Sequence, residues 1–460
     1  MNTSRCPQFQ RFTVVALLVL SSGTALVVAS ASGDNSRSLL PFADASGLMR
    51  TFTATNQIDV SNPFFARLGS NGRTCSSCHQ QSDAWAVSAQ HIRDRFESSQ
   101  GLDPIFRPND GANCSTDDIS TLDSRRRAYS QLLSKGLIRV SRPIPANADF
   151  ALIGIDDPYH CASSEDLGLY RRPLPTTNLR FLTTVMWDGR ESHPGNSLEQ
   201  NLAVQATDAT LGHAQAAQPP TSGELQAIVA FEMGLSTAQA VDFGAGSLSA
   251  GGISGGPEAL AQQDFYPGIN DALGADPSGK SFNPIAMTLF SKWENTHNVG
   301  PEADKRASIA RGEVLFNTLP IAIQGVKGLN DKLGTETIPG TCTTCHDTPN
   351  VGNHSLPLPI DIGIASAERR TPDMPLYTFR CNSGDIVQVT DPGRALSTGK
   401  CEDIGKFKGP ILRGLAARAP YFHNGSAATL MDVVQFYNVR FNLNLNSQQK
   451  ADLVAFLSAL

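Results

Sequence analysis

The sequence has no basic excess. Only 37 Lys and Arg stand against 43 Asp and Glu among 460 residues, a net charge of −6. It therefore offers no cationic surface for a nucleic-acid backbone. Beyond the first 31 residues it also lacks any run long and apolar enough to span a bilayer. Convincing runs of alternating apolar and polar residues are missing too, which points to a mainly helical protein. Charged residues make up only 17%, yet the 40% hydrophobic share belongs to an ordinary globular chain rather than a disordered one. The 39 glycines and 28 prolines imply long ordered loops.

The exception to the missing apolar runs lies at the start. Arg5 and Arg11 precede or open a mostly apolar stretch from Phe12 to Val28, and Ala29-Ser30-Ala31 is a small-residue cleavage site. Residues 1–31 read as an export signal, with a mature chain that is periplasmic or secreted and keeps no stable membrane span. Ser21-Ser22-Gly23-Thr24 interrupts the run, which argues against an uncleaved anchor. Removing this segment with its Cys6 leaves eight cysteines. Four belong to two CxxCH motifs; Cys114, Cys161, Cys381 and Cys401 remain. An even remainder in an exported chain suggests two disulfides, and local pairing gives Cys114–Cys161 and Cys381–Cys401.

The motifs are Cys75-Ser76-Ser77-Cys78-His79 and Cys342-Thr343-Thr344-Cys345-His346. Two thiols separated by two residues can both reach one porphyrin edge and form thioethers, and the histidine that follows lies under the iron. A zinc site would need two such pairs closing one tetrahedron, with no histidine directly after each. Two covalently bound c-type haems are therefore expected, ligated by His79 and His346.

The chain divides into residues 45–213 around the first motif, 214–302, and 303–460 around the second. The middle part is rich in Gly, Ala, Gln and Ser, including Gly251-Gly252-Ile253-Ser254-Gly255-Gly256, and reads as a loop-rich insertion with a few short helices. In the last part helical spacing is clear over Ala303–Phe316 and Leu430–Tyr437. A final helix follows Ser447 as N-cap, with Leu453, Val454, Phe456, Leu457 and Leu460 in one stripe. A weak repeat links the ends: Phe64-Phe65 precedes the first motif and Leu315-Phe316 the second. The expected fold is mainly α, two cytochrome c-like domains packed face to face, each around its haem.

The tail reads Phe407-Lys408-Gly409-Pro410-Ile411-Leu412-Arg413, then Ala419-Pro420-Tyr421-Phe422-His423-Asn424-Gly425, then Val433-Val434-Gln435-Phe436-Tyr437. Together with Trp187-Asp188-Gly189-Arg190 and Ser197-Leu198-Glu199-Gln200, it resembles the bacterial di-haem cytochrome c peroxidase and MauG superfamily. The resemblance implies Trp187 between the haems and Gln200 on the distal side of the first. It places a sixth ligand of the C-terminal haem fourteen residues after His423, at Tyr437, where peroxidases have Met and MauG-type enzymes Tyr. His423 itself would be structural or electrostatic. A calcium ion between the haems would take backbone carbonyls of Arg418 and Pro420, although the family's asparagine has no counterpart near Arg172-Pro173.

The sequence also departs from the family. The peroxidases' distal Glu falls ten residues after Gln200, at Thr210, with Asp208 nearby. His213 is the candidate to replace it as acid and base. His91 could cap the N-terminal haem, but an open position there is the expectation. His193 and His354, in loops rich in Pro, Gly and Asn, read as solvated surface residues, and His160 and His297 have no assigned role. The function implied is a peroxidase-type oxidoreductase taking peroxide at the N-terminal haem. Its electron donor would be a small redox protein or a protein substrate. An oxygenase activating O2 and a non-catalytic electron carrier are the alternatives.

Overall fold

In the computed structural model the described residues are 1, 36–294 and 299–460. The expected export signal, apart from Met1, lies outside them, as do Cys6 and His297. Residues 36–460 form one compact unit.

The helices start where side chains can satisfy free backbone amides. Leu198–Gly212 opens on a capping box of Ser197 and Gln200, and Ser222–Met233 on one of Thr221 and Glu224. Leu430–Arg440 opens on Thr429 and Asp432. Pro301–Thr318 has proline in its first turn, where the missing N–H costs nothing. The last helix, Ser447–Ser458, is capped by Asn446 rather than Ser447: the Asn446 side chain accepts from Gln449 N at 2.9 Å.

Helices Pro301–Thr318 and Ser447–Ser458 cross closely. A Cβ on Gly312 would lie 2.0 Å from the Asp452 carbonyl oxygen, so only glycine allows the approach. Ile309, Phe316, Leu453, Phe456 and Leu457 are buried there in the largest core cluster. Each contributes about 1.5–3 kcal/mol on burial.

The expectation of a mainly helical chain holds only in part, with 31% helix and 15% strand. Phe150–Asp156, from the N-terminal part, pairs antiparallel with Leu376–Cys381, which also pairs with Ile386–Val389. Tyr377, Phe379 and Cys381 alternate inward to a second core with Phe150, Leu167 and Leu169. The region 214–302 is not all loop. Its strand Ser236–Asp242 pairs with Gly47–Phe52, placing Arg50 opposite Ala238. At that seam Thr51 and Thr177 each hydrogen-bond Thr237, and Trp85 Nε1 donates to Thr51 Oγ1 at 2.9 Å. Both expected disulfides are present, Cys114–Cys161 and Cys381–Cys401.

Candidate functional site

The two CxxCH motifs fold alike. Each is a single 3-10 turn, Cys75–Ser77 and Cys342–Thr344, preceded by a threonine in a capping box. Thr74 N donates to Ser77 Oγ and Thr341 N to Thr344 Oγ1, both at 3.0 Å. The amides of His79 and His346 donate to the carbonyls of Cys75 and Cys342, at 3.0 and 3.1 Å. Each imidazole is aimed through Nδ1, which lies 3.1 Å from Trp85 O in His79 and 2.5 Å from Gly352 O in His346. Donation from Nδ1 leaves Nε2 with a free lone pair. The repeated phenylalanines explain themselves: Phe64 and Phe316 tilt against the two imidazoles, centroids 6.4 and 5.7 Å apart.

Each motif lines its own cavity, about 160 Å³ at the first and about 230 Å³ at the second. Burial pushes both histidines down to about 4, which keeps each imidazole neutral, the form that can ligate a metal. It pushes the thiols of Cys75, Cys342 and Cys345 up to about 12. None of the four motif cysteines is in a disulfide. Nor, among the described residues, do they belong to a cluster able to hold a metal ion. Paired thiols and a neutral imidazole at the wall of an apolar cavity fit covalent haem and not zinc.

The wall between the cavities supplies cations. Residues 172–175, Trp187, Lys408 and Arg418 line both. Lys408 is buried, has no ion-pair partner among the described residues, and is pushed by burial down to about 7, with a further push from Arg418. An uncompensated buried cation between the cavities fits the carboxylates of a haem. Trp187 faces both cavities, and its Nε1 donates to Arg172 O at 2.8 Å.

On the C-terminal side Tyr437 lines the cavity, and its hydroxyl makes no hydrogen bond among the described residues. Burial, with the nearby Cys345 and Cys342, pushes its phenol well above the ordinary value. That orphan phenol fits a ligand of a bound iron. His423 is buried, stacks on Phe407 at 4.0 Å between centroids, and has Nε2 3.9 Å from Asp391.

On the N-terminal side the helix Leu198–Gly212 presents Leu202, Gln205, Ala206, Ala209 and Thr210 to the cavity, with His213 at its end. His213 Nδ1 pairs with Asp110, which Arg73 also bridges. Burial alone would raise the Asp110 carboxyl, but Arg73 and His213 outweigh it and hold it low. Gln200 is a correction to the sequence reading. It is exposed and does not line either cavity; its side-chain oxygen accepts from Ser197 N at 2.7 Å. His91 also stays outside, its Nδ1 2.6 Å from Asp83. The sequence reading missed Glu232. It lines the first cavity, is 4% exposed, has Oε2 without a partner, and is pushed up by burial to about 8. Its place three and four residues after the buried Val229 and Ile228 was the available signal.

Calcium does not fit. The Arg418 carbonyl expected to bind it accepts from the buried Arg172 guanidinium at 3.0 Å, which also donates to the carbonyls of Val87 and Lys135. A side-chain cation already stands where the ion would be. His354, expected at the surface, is also a correction: it is 6% exposed, with Nδ1 3.1 Å from Asp347.

Comparison with known proteins agrees with this chemistry. A RoxA-like, cytochrome c-like family model matches residues 406–440. Cytochrome-c peroxidase IdrP1 of Denitromonas iodatirespirans is 42% identical over 81 residues, 15% of this chain and 22% of that protein. IdrP1 of Pseudomonas sp. (strain SCT) is 38% identical over 140 residues, 26% of this chain and 36% of its own. The chain thus spans about a fifth to a third of these relatives' lengths. Among solved structures, a MauG-like protein associated with microbial copper homeostasis is 15% identical with a TM-score of 0.37, covering 87% of this chain and 86% of that one. Over these partial matches the chain is similar to bacterial cytochrome-c peroxidases, and its residues 406–440 to a RoxA-like cytochrome c domain.

Proposed function

We propose that this protein is a periplasmic di-haem c-type oxidoreductase. It would take peroxide at the haem held by Cys75, Cys78 and His79, and electrons through the haem held by Cys342, Cys345 and His346. The observation that carries this reading is the pair of equivalent CxxCH turns, each facing its own cavity, with Trp187 in the wall between them. Bound haem iron supplies the one-electron chemistry that peroxide reduction needs.

The chain's residues divide the remaining work. His79 and His346 are held as neutral donors by backbone carbonyls. Tyr437 would hold the second haem's iron through its phenolic oxygen, giving up its proton as it did so. His213 moves a proton through Nε2, because Asp110 holds Nδ1. Trp187 is the aromatic bridge between the two sites. The apolar walls keep bulk water from both. The donor is a small redox protein or a protein substrate.

The test is a peroxide titration of the ferric holoprotein with spectra recorded, then turnover with a reduced small cytochrome. A high-spin ferric signal that reacts rapidly with peroxide is expected. Replacing His213 with Ala should cut that reaction rate by roughly 10²–10⁴ while both haems stay attached. Tyr437→Phe should perturb one haem's spectrum only. A stable dioxygen adduct after reduction would instead identify an oxygenase, and two low-spin haems inert to both oxidants an electron carrier.

A further inference from the structure

Beside the second CxxCH turn, outside the residues already given a role, three ligand-bearing side chains converge. Asp271, Asp347 and His354 each offer one ligand atom, and these atoms all lie within 4.8 Å of one another. The exposures are 0%, 0% and 6%. We propose that these three side chains bind a divalent first-row metal ion of the zinc or manganese type, distinct from any haem iron.

The case rests on how the carboxylate oxygens are used. Asp271 Oδ2 accepts from Ala275 N at 2.7 Å, and Asp347 Oδ1 accepts from Ser355 N at 2.7 Å. The other oxygen of each, Asp271 Oδ1 and Asp347 Oδ2, is buried without a hydrogen-bond donor. One half of each carboxylate is thus fixed by backbone, and the other half is left over. His354 Nδ1 lies 3.1 Å from Asp347 Oδ2 and 3.4 Å from Leu356 N, so the imidazole is the one described side chain that reaches the left-over oxygen of Asp347. Among the described residues neither Asp271 nor Asp347 pairs with a lysine or arginine. One imidazole can offset at most one of two buried carboxylates, and Asp271 Oδ1 has no partner, so the cluster is costly unless a cation completes it.

The donor set chooses the cation. Two carboxylate oxygens and one imidazole nitrogen, without a thiolate, suit zinc, manganese or ferrous iron better than a soft monovalent ion. Three protein ligands with further positions for water are normal for such ions.

The ion would join two distant segments. Asp271 sits in a turn of the 214–302 region whose Gly268 N donates to Ser355 O at 2.7 Å, and Asn270 Nδ2 donates to Asp347 O at 3.0 Å. Asp347 directly follows His346. The site therefore clamps the inserted region onto the loop that carries the second imidazole, and its role is to hold that loop.

The experiment uses the full-length holoprotein. It is stripped with a chelator, exposed to excess zinc, desalted, and assayed for zinc and iron per chain by elemental analysis. About one zinc per chain is expected in the wild type, and at least tenfold less in Asp271→Asn. Iron is counted in the same sample, so a failure of haem attachment is separable from a failure of this site. Thermal unfolding gives a second readout. Zinc should raise the wild-type Tm and leave that of Asp271→Asn unmoved. Without zinc the variant should be no less stable than the wild type, because removing one charge relieves the repulsion. Zinc retention below about a tenth of an equivalent in the wild type, or undiminished retention in Asp271→Asn, would overturn the proposal.

Discussion

At the scale of single residues, the most consequential feature outside the cavities is a buried guanidinium. Arg171 is 2% exposed and donates to Asp391 at 2.7 and 2.9 Å and to Asp188 at 2.6 Å. Burial alone would raise both carboxyls, but Arg171, joined at Asp188 by Arg190, outweighs it and holds both below the ordinary range. A depressed carboxyl contributes stability above its unfolded pKa, near 3.9, and loses that stability as pH falls further. The wild type should therefore weaken below about pH 4. Arg171→Met leaves Asp391 buried without its guanidinium and Asp188 with Arg190 alone, which should cost about 3–5 kcal/mol at pH 7. In that variant burial raises the Asp391 carboxyl instead, so lowering the pH from 7 towards 5 should restore stability. Urea unfolding across pH reads the two opposite slopes; parallel slopes would refute the assignment. Glu232 has the other sign from the start. Its carboxyl is raised by burial to about 8 in the folded chain, so stability should fall as pH rises from about 4.5 to 8. Glu232→Gln should remove that decline and gain on the order of 5 kcal/mol at pH 9, measured the same way.

At the scale of elements, close helix packing decides what can change. Because the Asp452 carbonyl occupies the space of a Gly312 side chain, Gly312→Ala must push Ser447–Ser458 away from Pro301–Thr318. A loss of about 1–3 kcal/mol is expected, from overpacking and the strained Phe456 contact; an unchanged Tm would show that the helices separate freely. These helices were legible in the sequence because their apolar spacing is local. Ala303–Phe316 grew only to Pro301–Thr318, and Leu430–Tyr437 to Leu430–Arg440. The CxxCH turns were legible for the same reason, since their geometry is set within five residues. Strand Leu376–Cys381 was not. Its partner Phe150–Asp156 is more than two hundred residues away, and six residues of mixed composition carry no signal for a distant pairing. Gln200 and His354 failed for a related reason. Counting along the chain cannot tell which face of a helix meets a cavity. Nor does a loop rich in Pro, Gly and Asn announce that it folds under itself, as Thr348 N donating to Asn353 O at 3.1 Å makes this one do.

At the scale of the whole molecule, the two ends of the chain depend on each other. The sheet that buries Tyr377 and Phe379 is completed by a strand from the N-terminal part, and Gly47–Phe52 is completed by a strand from the middle. The wall between the cavities is shared in the same way, with residues 172–175 and Trp187 from one part and Lys408 and Arg418 from the other. Arg171 ties them again through Asp391, and Arg172 through the Arg418 carbonyl. Unfolding either end would leave a sheet edge open, bare two aromatic side chains and strand buried charges on the other. The cost of separating them exceeds what either end could regain alone. Residues 36–460 should therefore melt in one cooperative calorimetric transition, with equal van't Hoff and calorimetric enthalpies. Two well-separated transitions, one for each CxxCH region, would mean that the two regions are independent domains and that their common wall contributes little.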